Sequence, residues 1–144
     1  MMENKSYRDF SKGDLVCHFK WHKNSEEEVK VNKYIYKVVA VGVQHTETGE
    51  IGMVYEAQYG DFKSYIRPLD MFLSEVDRVK YPDVEQKYRL IKYNEDALKF
   101  YRSLTKDDKK KILDESYTLE QFLKDYGVSA EFYDYIRENF IFIE

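Results

Sequence analysis

The stretch VQHTETGEIGMVYEAQYGDFKSYIRPLDMF, residues 43–72, decides how this chain folds. It holds two strand-like runs, IGMVYEAQY and FKSYIR, which are rich in β-branched and aromatic residues. Thr48-Gly49 predicts a hairpin turn and Gly60-Asp61 a second reversal, because glycine tolerates positive φ. Pro68 cannot donate a ladder hydrogen bond, so the second run should end near it. The residues LDMF that follow predict one helical turn.

Further strands are predicted on either side of this stretch. LVCHFKW follows the turn signal Gly13-Asp14, and YIYKVVAVGVQH is apolar on both faces at its centre. The polar segment NSEEEVKVN between them predicts a loop, and SEV after LDMF predicts a brief return to the sheet. Period-two alternation in LVCHFKW predicts two opposite faces, with Leu15, Cys17, Phe19 and Trp21 on one and Val16, His18, Lys20 and His22 on the other.

The rear of the chain changes to helical periodicity. From Asn94 onward, apolar residues recur three and four positions apart, and YPDVEQKYRLIKY is predicted to link the two halves. The expected helix boundaries are N-caps at Asn94 and Thr105, a capping box of Thr118 with Gln121, an end at Gly127, and a last helix from Ser129 to about Asn139. The predicted fold is therefore mainly β with an α appendage. A small SH3-like β-barrel spans residues 1–92, and a short helical C-terminal region spans residues 93–144.

Composition indicates a small protein of the cytoplasm. At 144 residues and 43% hydrophobic content, the chain suits one compact domain or a small domain with an appendage. The N-terminus MMENKSYRDF lacks the apolar core of a signal peptide, and no apolar run approaches the ~20 residues of a membrane helix. The lone cysteine, Cys17, cannot form an internal disulfide and is expected to be a small buried hydrophobe.

The charge distribution argues against binding to duplex DNA. Residues 1–92 carry 15 Lys and Arg against 15 Asp and Glu, and residues 93–144 carry 8 against 12, for a net charge of −4. Duplex binding depends on a basic surface that this balance does not supply, although a local pocket for one phosphate or nucleotide is compatible with it. The excess of Lys over Arg, with many Tyr and Ile, is typical of AT-rich genomes, and indicates a low-GC bacterium or its phage.

Several runs together resemble the bacterial domain-of-unknown-function family 1653. They are GDLVCHFK, YIYKVVAVGVQHTETGE, MVYEAQYGD, YIRPLDMFLSEVD and KYPDVEQKYR, which span roughly residues 12–91. The elements HTETGE, YGD and RP-x-x-MF occur in the family's order at close spacing. The resemblance implies a small SH3-like β domain without an established activity. The chain departs from the family pattern in its longer Trp21–Lys33 stretch and in residues 93–144.

The candidate ligand-binding residues are His18, Lys20, His45, Thr46, Glu47, Tyr55, Tyr65 and Arg67. All but Tyr65 match polar positions of the family pattern, as does Glu75. His45 could exchange a proton, orient a ligand, or tie down the hairpin turn. Arg67 suits an anion because its planar fork matches phosphate or carboxylate. The alternative for Arg67 is a buried ion pair with Glu47, Glu56 or Glu75.

Aromatic residues supply the leading functional hypothesis. Tyrosines and a tryptophan could form a stacking surface for a base, or belong to the core: Trp21, Tyr34, Tyr36, Tyr55, Tyr59 and Tyr65. An aromatic wall beside Arg67 and His45 would suit a nucleotide. We therefore predict a non-catalytic binding protein for a small anionic or nucleotide-like ligand. A phage-borne protein that sequesters a nucleotide signal is one version of this hypothesis.

Two other functional classes remain open. A protein-interaction module would use the barrel groove and the acidic helical tail to bind a partner or a second copy. Its apolar surface would come from Phe132, Tyr133, Tyr135, Ile136, Phe140, Ile141 and Phe142. An enzyme with His45 as general base and Glu47 as its orienting group ranks third. No cofactor or metal is expected, because zinc sites need Cys and His clusters, and His18 and His22 would lie about 13 Å apart on a strand.

Overall fold

The computed structural model describes residues 7–144, which form two compact units. The sheet unit contains the chain up to Val76 together with Tyr88–Tyr93, and the helical unit contains Asp77–Lys87 together with Asn94–Glu144. An antiparallel sheet and a set of C-terminal helices are therefore both present, as predicted. In the described part of the chain, no helix has the length and apolar character needed to cross a membrane.

The sheet unit is built on five antiparallel strands in the order β4-β3-β2-β1-β5. Their bounds are Leu15–His18 for β1, Ile35–Gln44 for β2, Ile51–Ala57 for β3, Ser64–Pro68 for β4 and Leu90–Lys92 for β5. Within residues 7–144 the two outer strands do not pair with each other, so the sheet is not closed. The antiparallel sheet is confirmed, and the SH3-like barrel stays a prediction.

The linker expected at YPDVEQKYRLIKY contains β5, which the sequence does not predict. Ile91 pairs with Cys17, and both residues are fully buried. A run of three residues is too short to display a period of two, so the strand is visible only through its partner β1. The predicted return of SEV is confirmed by an isolated bridge between Glu75 and Tyr88.

The strand predicted for LVCHFKW ends earlier than its alternation suggests. A 3-10 turn, Phe19–Lys23, follows β1 directly, because the His18 ring caps it by accepting the Lys20 backbone N–H at 3.1 Å. The prediction of two alternating faces through Trp21 is therefore wrong beyond His18. Phe19 and Trp21 are both buried, but they belong to the 3-10 turn and not to the strand.

The segment NSEEEVKVN is also not a loop, contrary to the prediction. It contains the short helix α1, Glu26–Lys30, whose start is fixed by a capping box. The Ser25 side chain accepts the Glu28 N–H, and the Glu28 carboxylate accepts the Ser25 N–H. Acidic residues in the first turn and Lys30 in the last complement the helix dipole, so a polar segment can be helical without an apolar stripe.

The turns of the residue 43–72 stretch are as predicted. The His45 N–H donates to the Glu50 carbonyl at 2.8 Å and closes the hairpin, with Gly49 at φ 73°. Gly60 adopts φ 61° in the second turn, and β4 ends at Pro68. LDMF forms the single-turn helix α2, Leu69–Phe72, which places Phe72 against the sheet.

One face of the sheet packs into a hydrophobic core. Its members are all nine-tenths or more buried: Val16, Tyr36, Val38, Met53, Tyr55, Ala57, Phe72 and Leu90. Burial of a large apolar side chain contributes about 1.5–3 kcal/mol, so this face supplies much of the sheet unit's stability.

The helical unit confirms the predicted caps. Its helices are α3 Glu95–Ser103, α4 Lys106–Ile112, α5 Leu119–Tyr126 and α6 Ala130–Asn139. Asn94, Thr105, Thr118 and Ser129 cap them through their side chains, and Gly127 ends α5 at φ 63°. Tyr135, Ile136 and Phe140, predicted as part of a partner surface, are instead buried in this unit. Short helices need such tertiary contacts to persist, so their apolar faces are used internally.

The segment Asp77–Lys87 is fixed to the end of α6. Gln86 bridges to Phe140, and the Lys87 N–H donates to the Asn139 carbonyl at 2.8 Å. The Glu85 carboxylate accepts the Tyr101 hydroxyl and pairs with Lys109 at 2.9 Å. These bonds explain why a segment that lies between strands in the sequence belongs to the helical unit.

Candidate functional site

The strand register brings Arg67 and two tyrosines onto one face of the sheet. Tyr55 lies opposite Tyr65, and Met53 lies opposite Arg67. Residues two apart on a strand share a face, so Tyr65 and Arg67 lie on the side of Met53 and Tyr55. The Arg67 Nε donates to the Tyr55 hydroxyl at 3.1 Å, and the rings of Tyr55 and Tyr65 have centroids 5.8 Å apart.

Three further tyrosines extend this group, and we call the five the tyrosine cluster: Tyr34, Tyr36, Tyr55, Tyr59 and Tyr65. Ring centroids are 5.3 Å apart for Tyr36 and Tyr55, and 6.0 Å apart for Tyr34 and Tyr59. The hydroxyls of Tyr36 and Tyr59 are hydrogen-bonded at 2.9 Å. Burial and then this bond raise the pKa of Tyr36, so its hydroxyl keeps its proton. The cluster is therefore a connected aromatic surface with polar ends.

His18 lies at the Tyr34 end of the cluster. Its ring centroid is 5.9 Å from that of Tyr34. Because Nδ1 accepts the Lys20 N–H, the neutral ring carries its proton on Nε2. Burial, followed by the positive charges of Lys20, Arg67 and Arg89, lowers the pKa of His18 to about 3. His18 is thus an uncharged hydrogen-bond donor in a positive electrostatic environment.

The low pKa of His18 predicts a loss of stability in acid. Below about pH 6.5 the unfolded chain protonates His18, whereas the folded chain does so only near pH 3. The unfolded state therefore binds more protons in this window, and stability falls as pH falls through it. We expect His18→Asn, which keeps an acceptor for the Lys20 N–H, to reduce the loss between pH 7 and pH 4.5 by about 1–2 kcal/mol. Urea unfolding of both proteins at the two pH values measures this, and parallel losses would contradict it.

Arg67 has no acidic partner in the described part of the chain. Within residues 7–144, no carboxylate lies at ion-pair distance from it, so the expected alternative of a pair with Glu47, Glu56 or Glu75 is not formed. Its guanidinium is half-buried and is held through Nε by Tyr55. The terminal N–H groups make no hydrogen bond to the described residues, and their fork geometry suits a phosphate or carboxylate.

His45, Thr46 and Glu47 lie elsewhere, at the β2–β3 hairpin. The His45 Nδ1 accepts the backbone N–H groups of Glu47 at 3.2 Å and Thr48 at 3.3 Å. Val41 is level with Met53 and hence with Arg67, and His45 faces Glu50, which is three residues from Met53 and about 10 Å from it along an extended strand. The structure does not bring His45, Glu47 and Arg67 into one contacting group. The three hairpin residues are exposed.

Replacing His45 tests its role in the turn. We expect His45→Ala to lower the free energy of unfolding by about 1 kcal/mol, because two backbone donors lose their acceptor in an exposed turn. His45→Asn should restore part of this loss, since its side-chain oxygen can accept the same donors. Chemical denaturation of both variants measures the difference. Equal stability of His45→Ala and the natural chain would remove the turn role.

The remaining candidate residues lie in different environments. Cys17 is fully buried, and this burial raises the pKa of its thiol. Lys20 is exposed, and Glu75 pairs through its backbone with Tyr88. Among the residues that the structure describes, no group of three or more His, Cys, Asp and Glu is arranged to hold a metal ion.

Sequence reasoning missed Arg89, whose charge acts on His18. It lies directly before β5, so recognition of RLIK as a strand beside β1 would have placed it near His18. The helical unit also has an open cavity of about 350 Å³, lined by Asp107, Lys110, Lys111, Asp114, Ser116, Tyr117 and Gln121. Charges of both signs line this cavity, so it does not share the positive character of the His18 and Arg67 region.

Comparison with known proteins identifies a family. The family model described as "Protein of unknown function (DUF1653)" matches residues 7–100, well over half of the chain. The match includes all five strands, the tyrosine cluster, His18 and Arg67. No curated protein and no solved structure matches the chain.

Proposed function

We propose that this chain, which belongs to the DUF1653 family, is a non-catalytic binding protein for a small anionic, nucleotide-like ligand. The proposal rests mainly on the environment of Arg67. Its guanidinium is half-buried beside Tyr55 and Tyr65, and no carboxylate of the described chain neutralises it. A charge in that position is best compensated by an anion from solution, because an unpaired half-buried cation gains most from a charge-assisted hydrogen bond.

The surroundings of Arg67 favour an anion over a cation. Lys20, Arg67 and Arg89 all act on His18 with positive charge. His18 itself is neutral and donates through Nε2, so it can bind an oxygen without adding charge. Together these groups supply charge and hydrogen-bond donors to one region of the sheet unit.

The aromatic component favours a ligand with a planar ring. Tyr65 is 43% exposed, whereas Tyr36 and Tyr55 behind it are 9% and 6% exposed. A ring at the surface that is supported by buried rings is a rigid platform, and stacking on such a platform accepts any base. A nucleotide combines both features, since it carries a planar base and an anionic phosphate.

The groups that could perform catalysis are engaged in the fold, which supports binding rather than turnover. His45 accepts two backbone N–H groups of its own hairpin. Cys17 is buried with a raised pKa, and a thiol is a poor nucleophile in that state. The proposal also includes an SH3-like architecture for the sheet unit, supported by the pairing of β1 with both β2 and β5.

Native mass spectrometry of the purified full chain, followed by ligand titration, tests the proposal. We expect either a retained small molecule or saturable binding of AMP, with inorganic phosphate competing for the site. Absence of a retained ligand together with no binding of AMP or phosphate at millimolar concentration would disprove it. If adenosine, which lacks the phosphate, binds as tightly as AMP, the anionic group is not recognised.

A second candidate function is self-association or partner binding through the helical unit. The observation that favours it lies on α5, where Leu119 and Leu123 are 37% and 41% exposed and lie four residues apart on one helix face. The same native mass spectra report the oligomeric state. If the protein is a monomer at all concentrations, self-association is excluded and this surface could bind only a different protein.

A further inference from the structure

Strand β4 lies at one end of the five-strand order, so it has an outer edge. The Ala57 N–H donates to the Lys63 carbonyl at 2.9 Å, which makes these residues a hydrogen-bonded pair at the start of the β3–β4 ladder. Such pairs alternate along an antiparallel ladder, so Tyr65 bonds to β3 while the N–H and C=O groups of Ser64 and Ile66 point outward. Within residues 7–144 these outward groups have no hydrogen-bond partner. The edge therefore offers two donors and two acceptors to another strand.

The side chains and the shape of this edge also suit strand pairing. Ile66 is 65% exposed and is the most exposed large apolar side chain on the five strands, and Tyr65 is 43% exposed. β4 pairs with β3 in an unbroken register from Ser64 to Pro68. Edges that avoid pairing carry bulges, inward-pointing charges or a covering segment. An exposed, regular and partly apolar edge is instead the kind to which a further strand adds.

A second copy of the chain fits this edge because β4 is complementary to itself. About a two-fold axis through Tyr65, Ser64 of one copy lies opposite Ile66 of the other, and both outward groups of each residue are paired. The paired length matches the edge, since the turn at Gly60 precedes it and Pro68 ends it. An axis through Ile66 would set Ser64 against Pro68, which has no N–H for the Ser64 carbonyl. The register centred on Tyr65 is therefore the one that uses the whole edge.

This register brings two cations together at each end of the paired strands. Lys63, directly before β4, is exposed and shares the face of Tyr65 and Arg67. Lys63 of one copy then lies directly opposite Arg67 of the other, in a non-hydrogen-bonded pair with Cα atoms about 4.5 Å apart. Like charges directly opposite each other destabilise a sheet. The two edges thus pair weakly until an anion lies between these side chains.

We propose that the anion bound by Arg67 joins two copies of the chain through their β4 edges, with Lys63 of the second copy completing the site. This inference rests on the proposed function and adds a partner to it. One phosphate or carboxylate group accepts hydrogen bonds from both cations, which offsets their repulsion. Ligand binding and dimer formation are then coupled, and each strengthens the other by the same factor.

Sedimentation velocity of the full chain over a range of concentrations, with and without saturating AMP, tests the coupling. We expect AMP to lower the dissociation constant of the dimer about tenfold or more. Ser64→Pro removes an outward N–H that the β3 ladder does not use, so it should abolish the dimer and change the melting temperature by less than about 3 °C. A dimer that persists in Ser64→Pro forms through another surface and overturns the inference.

Charge reversal at position 63 has the opposite expected effect. Lys63→Glu places a carboxylate opposite Arg67 of the second copy, so it should dimerise without AMP, about tenfold more tightly than the natural chain. Lys37→Glu is the matched control, because Lys37 is exposed on β2 on the face away from Arg67, and it should behave as the natural chain. No gain in Lys63→Glu, or an equal gain in Lys37→Glu, would overturn the inference.

Titration of AMP on the same samples separates this inference from the proposed function. If AMP binds the natural chain and the chain stays monomeric, the second copy is removed from the site and the proposed function stands. If AMP and inorganic phosphate bind no form of the chain, the proposed function fails, and the anion-linked dimer fails with it.

Discussion

Arg67→Ala is expected to weaken the binding of AMP and of inorganic phosphate together, by about 10- to 100-fold. Charge-assisted hydrogen bonds contribute about 1.5–3 kcal/mol, and both probes would lose the same fork of donors. Tyr55 supports the guanidinium through a hydrogen bond to Nε, so Arg67 is oriented before the ligand arrives. Isothermal titration calorimetry of the two ligands measures the losses directly.

Two matched variants separate a specific contact from general electrostatic attraction. Arg67→Lys keeps the charge but loses the planar fork, so we expect an intermediate loss. Lys37→Ala removes one positive charge from an exposed position of β2 whose neighbours Tyr36 and Val38 point to the core face. Lys37→Ala should leave binding nearly unchanged. If both alanine variants weaken binding equally, the anion is attracted by the net charge of the protein and Arg67 does not form a specific binding site.

The helix boundaries could be predicted from the sequence because capping is local. Thr118 and Gln121 each accept the other's backbone N–H within one turn. Two residue types three positions apart are therefore enough to predict where the helix begins. The same holds for the hairpin at Gly49 and for the end of β4 at Pro68. The short helix α1 follows the same rule at Ser25 and Glu28, but Val29 is its single apolar residue, so no apolar periodicity marks it in the sequence.

The candidate site could be predicted only in part, because its geometry depends on strand pairing. Tyr55, Tyr65 and Arg67 share a face through the β3–β4 register, and strand alternation alone indicates that Tyr65 and Arg67 lie together. The sequence groups His45 with Arg67 because both are predicted near the ends of paired strands. The β2–β3 pairing places His45 opposite Glu50, three residues from the level of Met53 and Arg67, so the hairpin lies away from Arg67.

Long-range contacts explain the other omissions. Asp77–Lys87 is polar and carries no periodic pattern, yet the C-terminal end of α6 gives it backbone partners. β5 likewise depends on β1, which precedes it by more than seventy residues. Arg89 reaches the surroundings of His18 only through that pairing. In each case the position of the residues depends on pairing with a segment that is far away in the sequence, so the local sequence alone does not reveal it.

Phe72→Ala is expected to cause the largest loss of stability, about 3–5 kcal/mol in the free energy of unfolding of the sheet unit. Phe72 is fully buried, and its ring centroid is 5.3 Å from that of Phe10 and 5.5 Å from that of Tyr55. Its removal eliminates apolar contacts and leaves a cavity that the surrounding strands can fill only partly. Urea unfolding followed by circular dichroism measures the change.

Met71→Ala is the matched control, since Met71 is the neighbouring residue on α2 and is 44% exposed. A change of less than about 0.5 kcal/mol is expected there, as for most surface substitutions. Equal losses in the two variants would mean that α2 itself, rather than the buried ring, is the sensitive element. The cavity at position 72 would also adjoin Tyr55, whose hydroxyl orients Arg67. Ligand affinity of the folded fraction should therefore fall in Phe72→Ala and persist in Met71→Ala, because the same tyrosine belongs to the core and to the site.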